Sequence, residues 1–183
     1  MRALFLAASA AALTATVPAS AGVMTLGGSF AEGCYTFAET HNATYEALAT
    51  CDRALKEQAL SSEDEFATYV NRGIIRMTRR DYPSAQADFD RAVRLDPNRG
   101  EAWLNMGVLR FKQGDSKGAI PLFDKALKLG TDAPEVAHFG RALAREDLGD
   151  LKAAYADLQR AVTLRPNWRD PARELARYQI RTR

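Results

Sequence analysis

A pattern of residues that recurs every 34 or 35 positions is the feature that most constrains the fold of this chain. The pattern is set by residues 66–99, and its small and apolar positions occur three times along the chain, as Ala85, Phe89 and Ala92; Ala119, Phe123 and Ala126; and Ala154, Leu158 and Ala161. Within each set the spacing of 0, +4 and +7 places the three side chains on one face of a helix. A fixed period of this length is typical of solenoids, in which each unit packs only against its neighbours.

Upstream positions repeat as well. They are Tyr69 and Gly73, then Trp103 and Gly107, then His138 and Ala142. In period and residue type the pattern resembles the tetratricopeptide repeat family, whose unit is a helix–turn–helix. The resemblance implies an all-α fold, a right-handed superhelical solenoid of antiparallel helix pairs with a C-terminal capping helix. We predict full repeats at residues 66–99, 100–134 and 135–168, a degenerate repeat at 34–65 and the capping helix at 169–183.

Residues at the ends of the predicted helices support this division. Three aspartates at equivalent positions predict the starts of the second helices, because aspartate accepts hydrogen bonds from the free N–H groups there: Asp81, Asp115 and Asp150. Gly114 and Gly149 precede two of them and are expected to be left-handed, whereas Arg80 stands at this position in the first full repeat. The small residues Gly73 and Gly107 are expected to admit Ala85 and Ala119 of the facing helices.

The first 21 residues have the pattern of a secretory signal peptide. Arg2 supplies the positive charge, residues 4–17 form an apolar run, and Ala19-Ser20-Ala21 is a small-residue cleavage site. A membrane anchor is the alternative, but this run of 14 residues is shorter than the ~20 needed to span a bilayer. We therefore expect an exported, periplasmic protein that is cleaved after Ala21 and has a loose arm at residues 22–33.

The chain has two cysteines, and both lie in the degenerate repeat. In an oxidising compartment such a pair is interpreted first as a disulfide. Cys34 and Cys51 are on opposite arms of the predicted hairpin, at similar distances from its turn at residues 41–42, so their side chains could meet. Two buried, reduced thiols are the alternative, and the spacing gives no support for a CxxC redox motif.

The sequence contains none of the common motifs for catalysis, phosphate binding or calcium binding. Its two histidines, His41 and His138, fall at a turn and at a packing position, so with the cysteines paired no zinc ligand set is left. A net charge of +2 for the full sequence gives no preference for nucleic acid. We predict a protein that is not an enzyme and has no cofactor, metal or nucleic-acid partner. An enzyme with an unrecognised site is a weaker alternative.

The family resemblance implies a binding surface on the concave face, which the first helices of the repeats form. Family members bind an extended or helical segment of a partner protein there. The corresponding positions in this chain give ten candidate groove residues: Val70, Asn71, Ile74, Met77, Leu104, Asn105, Val108, Phe111, Phe139 and Leu143. At least partial exposure is expected for Leu104, Val108, Phe111 and Phe139, which would suit a segment anchored by hydrophobic side chains.

Two of these candidates are asparagines in the same register of consecutive repeats, Asn71 and Asn105. An asparagine carboxamide can donate to and accept from a peptide backbone at once, as it does in family members with an asparagine ladder. The alternative is that each asparagine satisfies its own scaffold. Another subset of the family clamps a C-terminal carboxylate with lysine and asparagine, but Val70 and Ile74 occupy those positions here, which argues against such a clamp.

Two series of arginines complete the candidates. Arg76, Arg110 and Arg145 are equivalent in the three repeats and are expected to pair with aspartates of neighbouring helices, namely Asp88, Asp124 or Asp157. The second series recurs every four residues on the predicted capping helix: Arg169, Arg173, Arg177 and Arg181. It is interpreted either as a solvated helix face or as a contact for an anionic surface, such as membrane headgroups or an acidic partner.

Together these features predict an exported, non-catalytic interaction scaffold that binds a segment of a partner protein on its concave face. The alternative is a peripheral binder of the cell envelope that uses the arginines of the C-terminal helix.

Overall fold

A computed structural model describes residues 4–8, 22 and 28–182, and its described part contains nine helices and two short strands. The helices are α1 (Gly28–Glu39), α2 (Tyr45–Glu57), α3 (Ser62–Thr78), α4 (Tyr82–Leu95), α5 (Gly100–Lys112), α6 (Ser116–Leu129), α7 (Pro134–Asp147), α8 (Leu151–Leu164) and α9 (Arg169–Ala176). The strands β1 (Leu4–Ala8) and β2 (Tyr178–Thr182) form an antiparallel pair in which Leu4 is opposite Thr182. The helices from α1 to α8 form four consecutive hairpins and α9 follows the last, which confirms the predicted all-α solenoid.

Both ends of the solenoid differ from the sequence prediction. Helix α1 begins at Gly28, so residues 28–33, which we assigned to the loose arm, are helical. Helix α9 ends at Ala176, so the predicted capping helix covers only the first half of residues 169–183. The chain continues as β2, in which Tyr178, Ile180 and Thr182 alternate, and aromatic and β-branched residues favour strands.

Aspartates begin the second helices, as predicted. The carboxylates of Asp81, Asp115 and Asp150 accept hydrogen bonds from the N–H groups three residues further on, at 3.3, 2.8 and 3.1 Å. In the turns before the last two, Gly114 and Gly149 both have φ of 80°. Arg80 occupies the same left-handed turn position with φ of 64°.

The nearest neighbours of Gly73 and Gly107 are aromatic rings of the second helices, where we predicted alanines. A Cβ atom added to Gly73 would lie 2.4 Å from the Phe89 ring, and one added to Gly107 would lie 2.8 Å from the Phe123 ring. The same ring of Phe123 also meets Gly140 of the next repeat, where an added Cβ would lie 2.6 Å from it. Glycine at these positions therefore lets a phenylalanine fill the space within and between hairpins.

The first hairpin is closed covalently. A disulfide joins Cys34 on α1 to Cys51 on α2, with 4.8 Å between the two Cα atoms, and both residues are fully buried. Both cysteines belong to the hydrophobic core that continues into the repeats, so the hairpin is the N-terminal unit of the solenoid.

Candidate functional site

Nine of the ten predicted groove residues are buried, and Phe111 is partly exposed. The expectation of at least partial exposure is therefore wrong for Leu104, Val108 and Phe139. The physical reason is packing, since all three belong to the core. The ring of Phe139, for example, meets the ring of Trp168 edge to face, with 5.0 Å between their centroids.

The side chain of Asn105 is fully buried, and only one of its two polar atoms makes a hydrogen bond. Its Nδ2 donates to the backbone oxygen of Glu101, one turn earlier on α5, at 2.9 Å. Its Oδ1 accepts no hydrogen bond in the described part of the chain. Glu101 Oε2 is likewise buried without a hydrogen bond there, although Arg99 Nε lies 3.5 Å away. Helix α5 thus carries one buried acceptor without a partner, Asn105 Oδ1, and one buried carboxylate oxygen paired only through its charge with Arg99.

The other asparagine of the predicted ladder, Asn71, lies beside the chain that precedes α1. A Cβ atom built on Gly22 would be 3.4 Å from Asn71 Oδ1 and 3.0 Å from Glu39 Oε1. Asn71 is fully buried, and it has interactions of its own. The chain therefore reaches the position of this asparagine at Gly22, directly after the predicted cleavage site.

Two clusters of arginines around a buried aspartate connect the helices. Asp88 is 2% exposed, and its carboxylate accepts a hydrogen bond from Arg76 Nη1 at 2.7 Å. It also accepts hydrogen bonds from Arg72 Nη2 at 2.7 Å and from Arg72 Nε at 3.1 Å. Asp157 is 4% exposed, and its carboxylate accepts hydrogen bonds from Arg145 Nη1 and from Arg141 Nη2, both at 2.6 Å. The predicted pairing is confirmed for Arg76 and Arg145.

The middle repeat does not form such a cluster. Its arginine, Arg110, is exposed and makes no ion pair among the described residues. The reason is that Leu122 stands where Asp88 and Asp157 stand in the other repeats, and Met106 stands in place of Arg72 and Arg141.

Sequence reasoning missed the arginines that join one hairpin to the next. Arg72 also binds Asp52 of the preceding hairpin at 2.6 Å, and Arg141 binds Asp124 in the same way at 2.5 Å. The available signal was a spacing of 69 residues, which separates Arg72 from Arg141 and also Asp88 from Asp157. These arginines therefore tie neighbouring repeats together.

His138 completes the second cluster, with its Nδ1 2.8 Å from Asp157 Oδ1. Burial alone would raise the pKa of Asp157, but the hydrogen bonds with His138 and Arg141 and the charges of Arg141 and Arg145 outweigh burial. The pKa of this carboxyl therefore lies below its ordinary value.

The four C-terminal arginines do not form one exposed stripe. Arg177 pairs with Glu174 and, at 3.1 Å, with Glu146 of α7, so its charge is neutralised within the fold. Arg173 pairs with Asp170 at 3.2 Å, and Arg181 belongs to β2 rather than to a helix. Of the four arginines, only Arg169 and Arg173 are exposed residues of α9. The predicted stripe of four cations on one helix is therefore wrong.

The described residues contain no group of three or more His, Cys, Asp or Glu side chains placed to hold a metal ion. None of the helices described is long and apolar enough to cross a membrane.

Parts of the sequence resemble a known family of repeat proteins. Two models of the tetratricopeptide repeat match the sequence, at residues 70–134 and 136–167, which is slightly more than half of the chain. No curated protein matches the sequence significantly.

Several solved structures share the fold at low sequence identity. The crystal structure of PilW, a type IV pilus biogenesis factor, has a TM-score of 0.70 at 22% identity, over 81% of this chain and 66% of PilW. The match thus spans just under two thirds of PilW. The first repeat domain of Spaghetti (RPAP3), bound to the HSP90 peptide SRMEEVD, has a TM-score of 0.57 at 21% identity, over 61% of this chain and 88% of that domain. The crystal structure of MamA has a TM-score of 0.62 at 16% identity, over 82% of both chains.

Proposed function

Because this chain belongs to the tetratricopeptide repeat family, we propose that it is a non-catalytic interaction scaffold that binds a segment of a partner protein on its concave face. The observation that carries the proposal is the unpaired Oδ1 of Asn105 on α5. A buried acceptor without a hydrogen bond costs about 1–3 kcal/mol, so a backbone N–H of a bound segment would gain by pairing with it. Asn105 Nδ2 is already bonded to its own helix, so this asparagine offers one contact rather than two.

The form that binds is the exported protein beginning at Gly22. The charged start, the apolar run and the Ala-Ser-Ala site support export, and a disulfide suits an oxidising compartment. Cleavage after Ala21 would remove β1 and leave β2 without its partner strand.

The chemistry of the bound segment follows from the side chains around Asn105. Val70, Ile74, Leu104 and Val108 are apolar but buried, so the apolar group that a segment can contact is the partly exposed ring of Phe111 near the end of α5. The RPAP3 domain binds a peptide that ends in acidic residues and valine. Val70 and Ile74 stand where the family's carboxylate clamp has lysine and asparagine, so this concave face suits an apolar segment held by its backbone rather than a clamped C-terminus.

Replacement of Asn105 by alanine tests this assignment. We expect Asn105→Ala to weaken binding of the partner segment roughly two- to tenfold, because one net hydrogen bond is worth about 0.5–1.5 kcal/mol. The stability of the free protein should fall little, since the variant also removes an unpaired acceptor. The partner protein is first identified by photo-cross-linking from the concave face. Its affinity is then measured by calorimetry, and the stability of each variant by urea unfolding.

Thr68→Val provides the control. Thr68 is a fully buried polar residue whose Oγ1 donates to the backbone oxygen of Asp64 on its own helix, at 2.7 Å. This variant should leave the affinity unchanged. An Asn105→Ala protein that folds normally and binds with unaltered affinity would contradict the role of this side chain.

A further inference from the structure

A cleft of about 400 Å³ lies where the first helices of two consecutive repeats end. It is lined by the last residues of α3, the following turn, the first residue of α4 and the last residue of α5, namely Met77, Thr78, Arg80, Tyr82 and Lys112. Met77 is buried and Arg80 is exposed, so the cleft opens from the core of the solenoid towards solvent.

Two cations line this cleft, and neither has a carboxylate partner among the described residues. Arg80 and Lys112 make no ion pair there, whereas Arg76, one turn before Arg80, is paired with Asp88. Asp81 follows Arg80 in the sequence, but its carboxylate caps α4 through the Ser84 N–H. Burial, and then the charge of Arg80, lowers the pKa of Lys112. The cleft therefore has an excess of positive charge that nothing in the described chain neutralises.

The backbone of Arg80 provides an independent indication. Its φ of 64° lies in the left-handed region, where the equivalent residues of the next repeats are Gly114 and Gly149. Left-handed backbone is unfavourable for residues other than glycine, so stability alone would favour glycine here as well. Strained positions of this kind occur preferentially at functional sites, which indicates that the arginine side chain is used.

We propose that this cleft binds the carboxylate of an acidic side chain in the partner segment, between the guanidinium of Arg80 and the ammonium of Lys112. The inference rests on the proposed function, because the cleft adjoins Phe111 at the end of the concave face. Tyr82 also lines the cleft, and a tyrosine hydroxyl can donate a further hydrogen bond to a carboxylate. Charge-assisted hydrogen bonds from two cations would fix the position of the segment along the solenoid.

A small probe tests the cleft without the partner. We expect N-acetyl-L-aspartate N-methylamide to shift the 13Cε NMR signal of Lys112 in a saturable way, and the asparagine analogue to leave it unchanged. Arg80→Gly, followed on the Lys112 signal, and Lys112→Met, followed on the 15Nε signal of Arg80, should each weaken binding of the aspartate probe roughly tenfold. Lys117→Met is the matched control, because Lys117 is an exposed cation at the start of α6, outside the cleft.

The Arg80→Gly variant separates a binding role from a structural one. Glycine relieves the left-handed backbone, so the melting temperature should rise while the affinity for the aspartate probe falls. A response to the aspartate probe that Arg80→Gly leaves unchanged, or an equal response to both probes, would overturn the proposal.

The same variants distinguish this inference from the proposed function. If the partner binds the concave face and Arg80→Gly does not alter its affinity, the cleft inference fails and the proposed function stands. If the aspartate probe binds as expected but no partner binds the concave face, the proposed function fails and the cleft is left as an anion site. Binding to phosphatidylglycerol vesicles that is lost in Arg80→Gly would assign the cleft to lipid headgroups and overturn the assignment to an acidic segment.

Discussion

Reduction of the disulfide between Cys34 and Cys51 is expected to lower the free energy of unfolding of the N-terminal hairpin by about 3 kcal/mol, the chain-entropy estimate for a loop of this length. The bond closes a loop with a sequence separation of 17 in a unit that packs on α3 at one side only. In a solenoid, stability comes from each unit and its neighbours, so an end unit has fewer contacts to replace the lost constraint. Hydrogen exchange should therefore become faster in α1 and α2 after reduction, with α5 to α8 little affected.

The control is a Cys34→Ala/Cys51→Ala variant, in which the reductant should leave the hydrogen-exchange rates unchanged. Protein isolated from the producing cell should react with a thiol reagent only after reduction, because both cysteines are bonded to each other. Ready labelling of both cysteines before reduction would show that the bond is absent from the protein made by the cell. Unchanged exchange rates after complete reduction would contradict its role in stability.

Replacement of Asp157 by leucine should destabilise the protein by about 3–5 kcal/mol, the usual effect of removing one partner from a buried charge cluster. Asp157 is 4% exposed, and the variant would leave Arg141, Arg145 and His138 without their shared carboxylate. Urea unfolding of the variant and the wild type measures the difference.

The middle repeat supplies the control for this experiment. Met106 and Leu122 stand there at the positions of Arg141 and Asp157, so the fold accommodates an apolar pair. The double variant Arg141→Met/Asp157→Leu should therefore recover most of the stability lost in Asp157→Leu. A double variant as unstable as the single one would show that shape, rather than unpaired charge, causes the loss.

The cluster also predicts a dependence on pH. Because the pKa of Asp157 is lower in the folded protein, its stabilising contribution is fully present above the unfolded value of about 3.9. The contribution is lost as the pH falls below that value towards the folded pKa. As the pH falls below about 4, the wild type should therefore lose more stability than the double variant.

The architecture could be predicted from the sequence because its signals are local and repeated. Three copies of one helical pattern fix the period, and Asp81, Asp115 and Asp150 mark helix starts through bonds to residues only three positions away. The close approach of Cys34 and Cys51 follows similarly from one short hairpin. At the end of the chain no repeat continues the pattern, and the prediction there extended α9 beyond Ala176.

The candidate site was harder to predict because exposure depends on contacts between distant parts of the chain. Leu104 and Val108 match the family's groove positions, yet both are fully buried in the structure. Their place in the sequence pattern does not reveal how closely the neighbouring helices pack. The bonds from Arg72 to Asp52 and from Arg141 to Asp124 join separate hairpins, and the prediction considered other arginines, namely Arg76, Arg110 and Arg145. The turn of the first repeat, by contrast, was visible in the sequence, since Arg80 replaces the glycine of the other turns.

The central claim, that a partner segment binds the concave face, is tested most directly by photo-cross-linking in the producing cell. A photoreactive phenylalanine analogue at Phe111 lies on the partly exposed part of this face, and one at Lys128 lies on α6, a second helix, where the side chain is exposed. The account predicts one defined protein cross-linked from position 111 but not from position 128, with a lower yield in the Asn105→Ala background. The same products from both positions, or none from position 111, would contradict it.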